Sequence, residues 1–422
     1  MDVFDLRPGQ ARGFFARIRV ARMLASNMAH VHPSPPQAPT ATHRLGPARR
    51  SPLRQIATGL TILASAAVVG LAAPNEAAAS PGVDGTRNLS MGNATRGSST
   101  GTDAALINPA GLGYSQQFEV EPIYQFNLQT RTHGLGIFVA DSLNSPRIAL
   151  ALGYVFLRGT PRIRYDDITG ERESLELVHF GHQVSGTLTV IAVKNWLYLG
   201  FTPKWQYISM RYLDPEGVAL DYRPKHNAFG LDVALALNIL DWAKVAVVGY
   251  NLFGPNAPAR TDDPVTEVEG FEAGVDVAAE PNYNDENIRR VADYQRSLGH
   301  GLAIFPLRRP EFSLNVDATY DFTSYWTDED KFTRVTVNGG AEFVAGPVPI
   351  RVGGWWDSRG RGGGDDRGYV SAGLGFIKPA ALGGVGVDVG VGFAQQVAGA
   401  ASPSQLDTIL SVNIGLRLRP DL

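Results

Sequence analysis

The chain is organised around the stretch Thr102-Asp103-Ala104-Ala105-Leu106-Ile107-Asn108-Pro109-Ala110-Gly111-Leu112-Gly113. The side chain of Thr102 or Asp103 can accept a hydrogen bond from the first free N–H groups of a helix, which predicts one or two helical turns. A residue before proline avoids the helical region, so Pro109 and the glycines after it predict a compact turn. Residues from Ser80 up to this stretch are mostly small and polar. We expect the stretch to lie inside a structure that the rest of the chain forms around it.

After residue 117 the chain alternates between large apolar residues and polar or small residues, which is the pattern of β-strands. Bands about ten residues long fit strands with lipid on one face and water or small side chains on the other. Counting such runs predicts fourteen strands, an even number as in bacterial outer-membrane barrels. They cover residues 118–128, 132–141, 147–157, 183–193, 195–212, 226–240, 242–252, 296–306, 311–323, 332–345, 348–357, 367–377, 384–396 and 407–419.

The lengths of the connections support the same architecture. If the first strand runs outward, the long connections 158–182, 213–225 and 253–295 all fall at the outer end, and the turns at the inner end are short. This segregation is typical of outer-membrane barrels, and a soluble sandwich has no reason to show it. The predicted fold class is therefore all-β, a transmembrane antiparallel β-barrel of about 14 strands. A short N-terminal hatch (80–117) lies inside the lumen of the barrel (118–422).

Aromatic residues gather near the predicted strand ends and predict two girdles at the level of the lipid headgroups. The residues concerned are Trp196, Tyr198, Trp205, Tyr207, Trp242, Tyr250, Phe253, Tyr325, Trp326, Trp355 and Trp356.

Residues 1–79 are predicted to be a leader and a cleaved signal peptide. Arginines precede an apolar run at 56–73, and Ala77-Ala78-Ala79 followed by Ser80 supplies the small residues of a cleavage site between Ala79 and Ser80. A membrane-anchoring helix is the alternative, but its length is borderline for spanning and the cleavage motif favours removal. Residues 1–50 lack periodicity, and we expect either a mis-assigned start or a disordered leader there.

Composition excludes several classes of function. The chain has no cysteine, which removes disulfides, thiol chemistry and thiolate metal sites. Only 19% of its residues are charged, and it has no basic patch of the kind that nucleic-acid binding needs. Acidic pairs such as Asp262-Asp263 could hold a cation that bridges lipopolysaccharide phosphates, although solvated loop charges are the favoured interpretation.

No motif indicates catalysis. Gly97-Ser98-Ser99-Thr100-Gly101 matches a nucleophile elbow, but no strand precedes it, so we expect a flexible linker. His179 and His182 are three residues apart on a predicted strand and should point to opposite faces, which disfavours a shared metal. We expect no catalytic residues, no metal site and no cofactor.

The N-terminal region resembles the hatch signature of the FadL/TodX-type outer-membrane proteins. The similar parts are Met91-Gly92-Asn93-Ala94, a Gly/Ser/Thr run, Asp103-Ala104-Ala105 and Asn108-Pro109-Ala110-Gly111-Leu112. The alternative is an ordinary capped turn in a secreted domain. The resemblance implies a location in the bacterial outer membrane and assigns Asp103, Asn108, Pro109, Ala110 and Gly111 to the hatch or plug. It also implies outer-membrane lipid, lipopolysaccharide and the barrel-assembly machinery as partners, although the chain ends without a terminal aromatic residue.

Two functions follow from this resemblance. The first is a channel for passive uptake of hydrophobic small molecules, similar to the fatty-acid channel. The alternative is a structural or partner-binding barrel, similar to the PorV-like secretion-associated proteins. Apolar side chains continuous with the hatch would favour transport, and a polar lumen would favour the partner role.

We predict that mature protein beginning at Ser80 fractionates with the outer membrane. Because closed barrels resist detergent, the unheated sample should migrate faster than the boiled sample on detergent gels. Recovery of the protein in the soluble periplasmic fraction would contradict the barrel.

Overall fold

In the computed structural model, the described residues are 83–128, 131–160, 162–166, 172–213, 225–252, 296–324, 333–358, 366–379, 384–399 and 407–418. The predicted leader, with Ala79 and Ser80, lies outside these ranges, as do Asp262-Asp263, Phe253, Tyr325 and Trp326. No helix within the described ranges is long and apolar enough to cross a membrane.

The described part of the chain is mainly an antiparallel sheet. Its strands are β1 (Phe118–Asn127), β2 (Thr132–Asp141), β3 (Ile148–Gly159), β4 (Arg162–Asp166), β5 (Arg172–Val193), β6 (Leu197–Leu213), β7 (Lys225–Leu240), β8 (Ala243–Tyr250), β9 (Ser297–Ile304), β10 (Phe312–Ser324), β11 (Thr333–Ala345), β12 (Val348–Asp357), β13 (Arg367–Lys378), β14 (Val385–Ala398) and β15 (Thr408–Leu418).

The sheet closes on itself. β1 pairs with β15, with Phe118 opposite Leu418, and apart from β3 and β4 the strands pair with their neighbours in chain order. β3 pairs with the second half of β5, while the short β4 lies beside the first half of the same strand. β3 and β4 thus share one position in the wall, and the described residues form a closed barrel of fourteen strands. The predicted fold class of the barrel is confirmed.

One predicted connection is wrong. Residues 158–182 were expected to be a single outer loop, but β3 continues to Gly159 and β4 pairs with the early part of β5. The prediction followed the apolar band that lipid requires. A strand that continues beyond the lipid needs no such apolar band, so apolar alternation does not predict its polar extension.

Burial confirms the predicted alternation of the two faces. Along β3, Leu150 and Leu152 are 54% and 69% exposed, whereas Ala149 and Ala151, which alternate with them, are buried. The same alternation runs along β15, where Leu410, Val412 and Ile414 are exposed and Ser411 and Asn413 are buried. The outer face is therefore an apolar surface suited to lipid, and the inner face carries many small and polar residues together with a few large ones such as Phe138.

The girdle prediction is only partly right. Trp242 and Trp356 are exposed on the outer face, whereas Tyr198 is 3% exposed and points inward. Tyr250 and Trp355 also point inward, where Tyr250 contacts Arg96 and Trp355 stacks on Tyr369. The reason is the two-residue period of a strand: Trp355 and Trp356 are adjacent, so only one of them can face lipid.

Connections of different length lie at opposite ends of the barrel. Two-residue turns join β7 to β8 and β11 to β12, while residues 214–224 and 251–296 separate strands at the opposite end. We call these the short-turn end and the long-connection end.

We predict that single cysteines placed at Asp166, Pro215 or Asp263 react with an impermeant maleimide on intact cells. A cysteine at Asn195, in the turn between β5 and β6, should not react, because we expect the short-turn end to face the periplasm. The native chain has no cysteine, so the maleimide has no other cysteine of this protein to label. Equal labelling at Asn195 would contradict this orientation.

Candidate functional site

Residues 83–117, which we call the N-terminal segment, precede β1 and pack against inward-facing residues of the barrel. The segment contains α1 (Thr86–Ser90), α2 (Gly101–Ile107) and a 3-10 helix (Pro109–Tyr114). Its apolar residues Val83, Leu89, Met91, Ala104 and Leu112 are all at most 1% exposed. A segment of this length cannot bury so many side chains alone, so the barrel wall buries them.

Inward-facing glycines let the wall approach the backbone of the segment. A β-carbon at Gly340 of β11 or at Gly353 of β12 would overlap the backbone of Met91. A β-carbon at Gly200 of β6 would overlap Pro109 and Ala110 in the same way. Glycine at these positions therefore serves close backbone approach.

Hydrogen bonds join the first part of the segment to three strands. The hydroxyl oxygens of Thr86 and of Ser411 on β15 are 2.8 Å apart. Ser371 Oγ of β13 donates to the carbonyl oxygen of Ser90 at 3.2 Å, and Asn338 Nδ2 of β11 donates to the carbonyl oxygen of Asn93 at 2.8 Å. The wall thus satisfies backbone carbonyls that would otherwise be buried without a partner.

A chain of charges links α1 to β11 and β12. Arg87 Nη2 lies 3.0 Å from Glu342 Oε1, and Glu342 also accepts from Arg351 Nε at 2.6 Å. Arg87 Nη1 lies 3.9 Å from Asp103 Oδ2, so the same guanidinium connects both helices of the segment. Burial raises the pKa of Asp103 to about 6, an effect that the positive charge of Arg87 opposes.

The start of α2 is held by carboxylates of the wall. The backbone N–H of Thr102 donates to Glu119 Oε2 at 3.2 Å, and the Thr102 hydroxyl donates to Glu121. Glu119 also pairs with Arg417 of β15 at 2.5 Å. The predicted cap by Thr102 or Asp103 is wrong, because α2 begins at Gly101 and a strand carboxylate takes the place of a local cap.

Arg96 ties the middle of the segment to β8 and β10. Its backbone N–H and its guanidinium both donate to Asp317 Oδ2, at 2.9 and 3.3 Å. Its Nε donates to Tyr250 Oη at 2.8 Å and its Nη2 to Thr319 Oγ1 at 2.6 Å.

The run 97–101 was expected to be a flexible linker, and this expectation is wrong. Ser98 and Ser99 are 6% and 0% exposed, and a β-carbon at Gly97 would meet the backbone of Ala303 at 2.6 Å. Tertiary packing therefore fixes a sequence whose composition alone suggests mobility.

Asn108 holds the segment together internally. Its Nδ2 donates to the carbonyl oxygen of Arg96 at 2.7 Å, and its Oδ1 accepts from the N–H of Ala110 at 3.2 Å. The turn expected after Asn108 is a 3-10 helix, and the wall contacts its backbone: Tyr250 Oη donates to the carbonyl of Ile107 and Thr189 Oγ1 to that of Pro109.

The five residues that the sequence assigned to the hatch are all buried. Asp103 lies on α2 beside Arg87, Asn108 bridges two turns, Pro109 and Ala110 pack on Gly200, and Gly111 packs on the backbone of Ser99. Sequence analysis missed Arg87 and Arg96, which contact Asp103 and Asn108. It also missed the wall carboxylates that pair with these two arginines, Glu342 and Asp317. A signal for the last two was present, since isolated charges on the small-residue face of a lipid-spanning strand must point into the lumen.

A cavity of about 210 Å³ lies between the segment and the wall, toward the long-connection end. It is lined by Val83, Asp84, Asn88, Asn93, Arg96, Ala105, Leu106, Ile107, Gln183, Ser185, Thr202, Lys204, Asp232, Tyr250, Asn251, Ser297, Thr319, Arg334, Thr336 and Asn338. On the opposite side of the segment, Tyr114 packs edge-on against Tyr198, close to the short turn at 194–196. Among the described residues there is no group of three potential metal ligands.

Comparison with solved structures identifies the architecture. The monoaromatic hydrocarbon channel CymD aligns with a TM-score of 0.53 and 11% identity, over 81% of this chain and 98% of its own. A FadL homologue of Pseudomonas aeruginosa aligns with a TM-score of 0.51 and 12% identity, over 82% of this chain and 99% of its own. The chain has the FadL-type barrel fold.

The likeness is one of structure. No family model matches the sequence, and no curated protein matches it. The shared feature is a closed barrel, and its apolar outer face is suited to lipid.

We predict that Gly340→Leu displaces the N-terminal segment, because the new side chain would occupy the position of the Met91 backbone. Trypsin cleavage after Arg87 or Arg96 should become at least tenfold faster, while the barrel keeps its heat-dependent shift on gels. The matched control is Gly339→Leu on the same strand, where a β-carbon meets nothing within 4 Å. Equal cleavage rates in the two variants would contradict the close packing of segment and wall.

Proposed function

We propose that the protein is an outer-membrane channel for passive uptake of small hydrophobic molecules, with the N-terminal segment as the hatch that closes its lumen. The observation that carries the proposal is the burial of this segment against inward-facing residues of the wall, from β1 round to β15. The FadL-type fold supports it, since the similar CymD structure is a hydrocarbon channel.

The width of the wall explains why a hatch is needed. A barrel of about eight strands can be filled by its own side chains, and wider barrels leave a lumen. Here the inward-facing residues at the contact are small, as at Gly200, Gly340 and Gly353. The segment therefore occupies space that would otherwise conduct water and ions.

The hatch is held by several separate contacts, so one contact can be replaced while the others stay in place. Arg87, Arg96 and Thr102 each bond to the wall. Apolar residues of the segment, including Val83 and Leu112, share a buried cluster with wall residues such as Ile123, Phe138 and Leu157. The cavity beside Leu106 and Ile107 lies next to these contacts. A ligand bound there would compete directly with the interactions that keep the segment in place, which gives passive uptake a physical route.

The second candidate function is a partner-binding barrel, and the polarity of the lumen favours it. The wall presents Glu119, Glu121, Asp317 and Glu342 inward. Much of this polarity is used by the segment itself, because these carboxylates accept from Thr102, Arg96 and Arg87. The polar wall is thus accounted for by the hatch and does not require a further protein partner.

We predict that deletion of residues 80–108 leaves a barrel with raised single-channel conductance in planar bilayers. The strand ladder closes through β1 and β15 without the deleted residues, so the heat-dependent gel shift should persist and serves as the control for folding. A folded deletion variant that conducts no better than the intact protein would contradict the hatch.

Uptake distinguishes the two candidate functions. Cells that carry the intact protein should accumulate a hydrophobic dye such as 1-N-phenylnaphthylamine faster than cells without it. Unchanged accumulation, together with a stable complex between the barrel and another outer-membrane or secreted protein, would favour the partner role.

A further inference from the structure

The cavity beside the N-terminal segment has a mixed lining. The segment contributes the apolar residues Val83, Ala105, Leu106 and Ile107 together with the polar residues Asp84, Asn88, Asn93 and Arg96. The strands contribute mainly polar residues, among them Gln183, Thr202 and Asn338. A hydrocarbon would leave these polar groups without hydrogen bonds, and a fully polar solute would place its hydroxyl groups against the apolar residues. The cavity therefore suits an amphiphile.

The cations of the cavity are already paired. Lys204 Nζ lies 2.9 Å from Asp232 Oδ1, and Arg96 Nη1 lies 3.3 Å from Asp317 Oδ2. Arg334 pairs with Asp357 in the same way. An anionic head group would have to displace one of these carboxylates, and it would also face the carboxylate of Asp84, which lines the cavity. The arrangement favours a neutral head group.

Asn338 offers a hydrogen-bond acceptor at the cavity. Its side chain is 4% exposed, and its Nδ2 donates to the carbonyl oxygen of Asn93 at 2.8 Å. A backbone carbonyl can only accept, so this bond fixes which end of the amide is nitrogen. The opposite atom, Oδ1, has no hydrogen-bond partner among the described residues. A buried carbonyl oxygen without a partner is costly, and a ligand hydroxyl would satisfy it.

The size of the cavity limits the ligand. Its volume of about 210 Å³ exceeds that of a cavity of roughly 150 Å³ that holds benzene. A single ring with a short alkyl chain is therefore of suitable size, whereas a long acyl chain is not.

We propose that this cavity is a binding site for small neutral amphiphiles that carry a hydroxyl group. The hydroxyl donates to Asn338 Oδ1, and the apolar body lies against Val83, Leu106 and Ile107. The proposal deepens the proposed channel function by naming a ligand class, but binding at the cavity is measured separately from transport.

The test is calorimetric titration of the purified, full-length mature protein with three probes of similar size: 4-propylphenol, propylbenzene and 4-propylbenzoate. We expect 4-propylphenol to bind roughly tenfold more tightly than propylbenzene, because only the phenol can pair with Oδ1. The benzoate should bind more weakly than the phenol. Equal affinity for the phenol and the hydrocarbon, tighter binding of the benzoate, or no binding of any probe would overturn the proposal.

A pair of variants locates the site. Asn338→Leu removes the acceptor and should abolish the preference for the phenol over propylbenzene. Asn315→Leu is the matched control, since Asn315 is a 2% exposed amide on the adjacent strand β10 and does not line the cavity. It should retain the preference of the native protein. A preference that survives Asn338→Leu in folded protein would overturn the assignment.

Two further comparisons keep the test decisive. Leu106→Ala should weaken the phenol and the hydrocarbon by the same factor, and Asn338→Ala replaces Asn338→Leu if that variant fails to fold. A loss confined to one probe would contradict contact between the apolar body of the ligand and Leu106. Conductance tests the channel separately from the ligand class. If the hatch deletion raises conductance but no probe binds, the channel is supported and the ligand class is overturned. If the phenol binds selectively but the deletion does not raise conductance, the ligand class is supported and the hatch is contradicted.

Discussion

The structure depends on how a wide barrel is filled. A wall of fourteen strands cannot be filled by its own side chains, and here the filling is a segment of the same chain. At several strands the backbone of the segment comes close to the wall, so the facing residues there must be small. Gly200, Gly340 and Gly353 lie on three separate strands, and each sits where a β-carbon would overlap that backbone. Glycine on the inner face thus allows contact with the segment, as leucine and valine on the outer face allow contact with lipid.

Buried polar groups then fix the position of the segment. Arg87 pairs with Glu342, Arg96 pairs with Asp317, and Glu119 accepts from the start of α2. Burying an ion pair costs desolvation that its attraction roughly offsets, so such pairs add little net stability. Removing one partner leaves an uncompensated charge and costs about 3–5 kcal/mol. The pairs therefore favour one register of the segment in the lumen over its neighbours.

The sequence predicted local features well and distant contacts poorly. Period-two alternation located β2 and β12 at their observed bounds and the other strands of the wall within a few residues, apart from the start of β5. The polar hairpin of β4 and the first part of β5 was not predicted, because a hairpin outside the lipid needs no apolar band. Tyr198 and Tyr250 point inward, where they contact Tyr114 and Arg96 of the segment. Arg87 and Glu342 are 255 residues apart in the chain, and periodicity carries no information about such a pair.

The most direct test of the account is a disulfide between the segment and the inner face of the wall. The chain has no cysteine, and Thr86 Oγ1 lies 2.8 Å from Ser411 Oγ. The double variant Thr86→Cys with Ser411→Cys should form an intramolecular disulfide on mild oxidation, detected by mass spectrometry of the folded protein. Thr86→Cys with Val412→Cys should not, because Val412 faces lipid. Equal yields for the two pairs, or a disulfide only with position 412, would contradict a segment held inside the barrel.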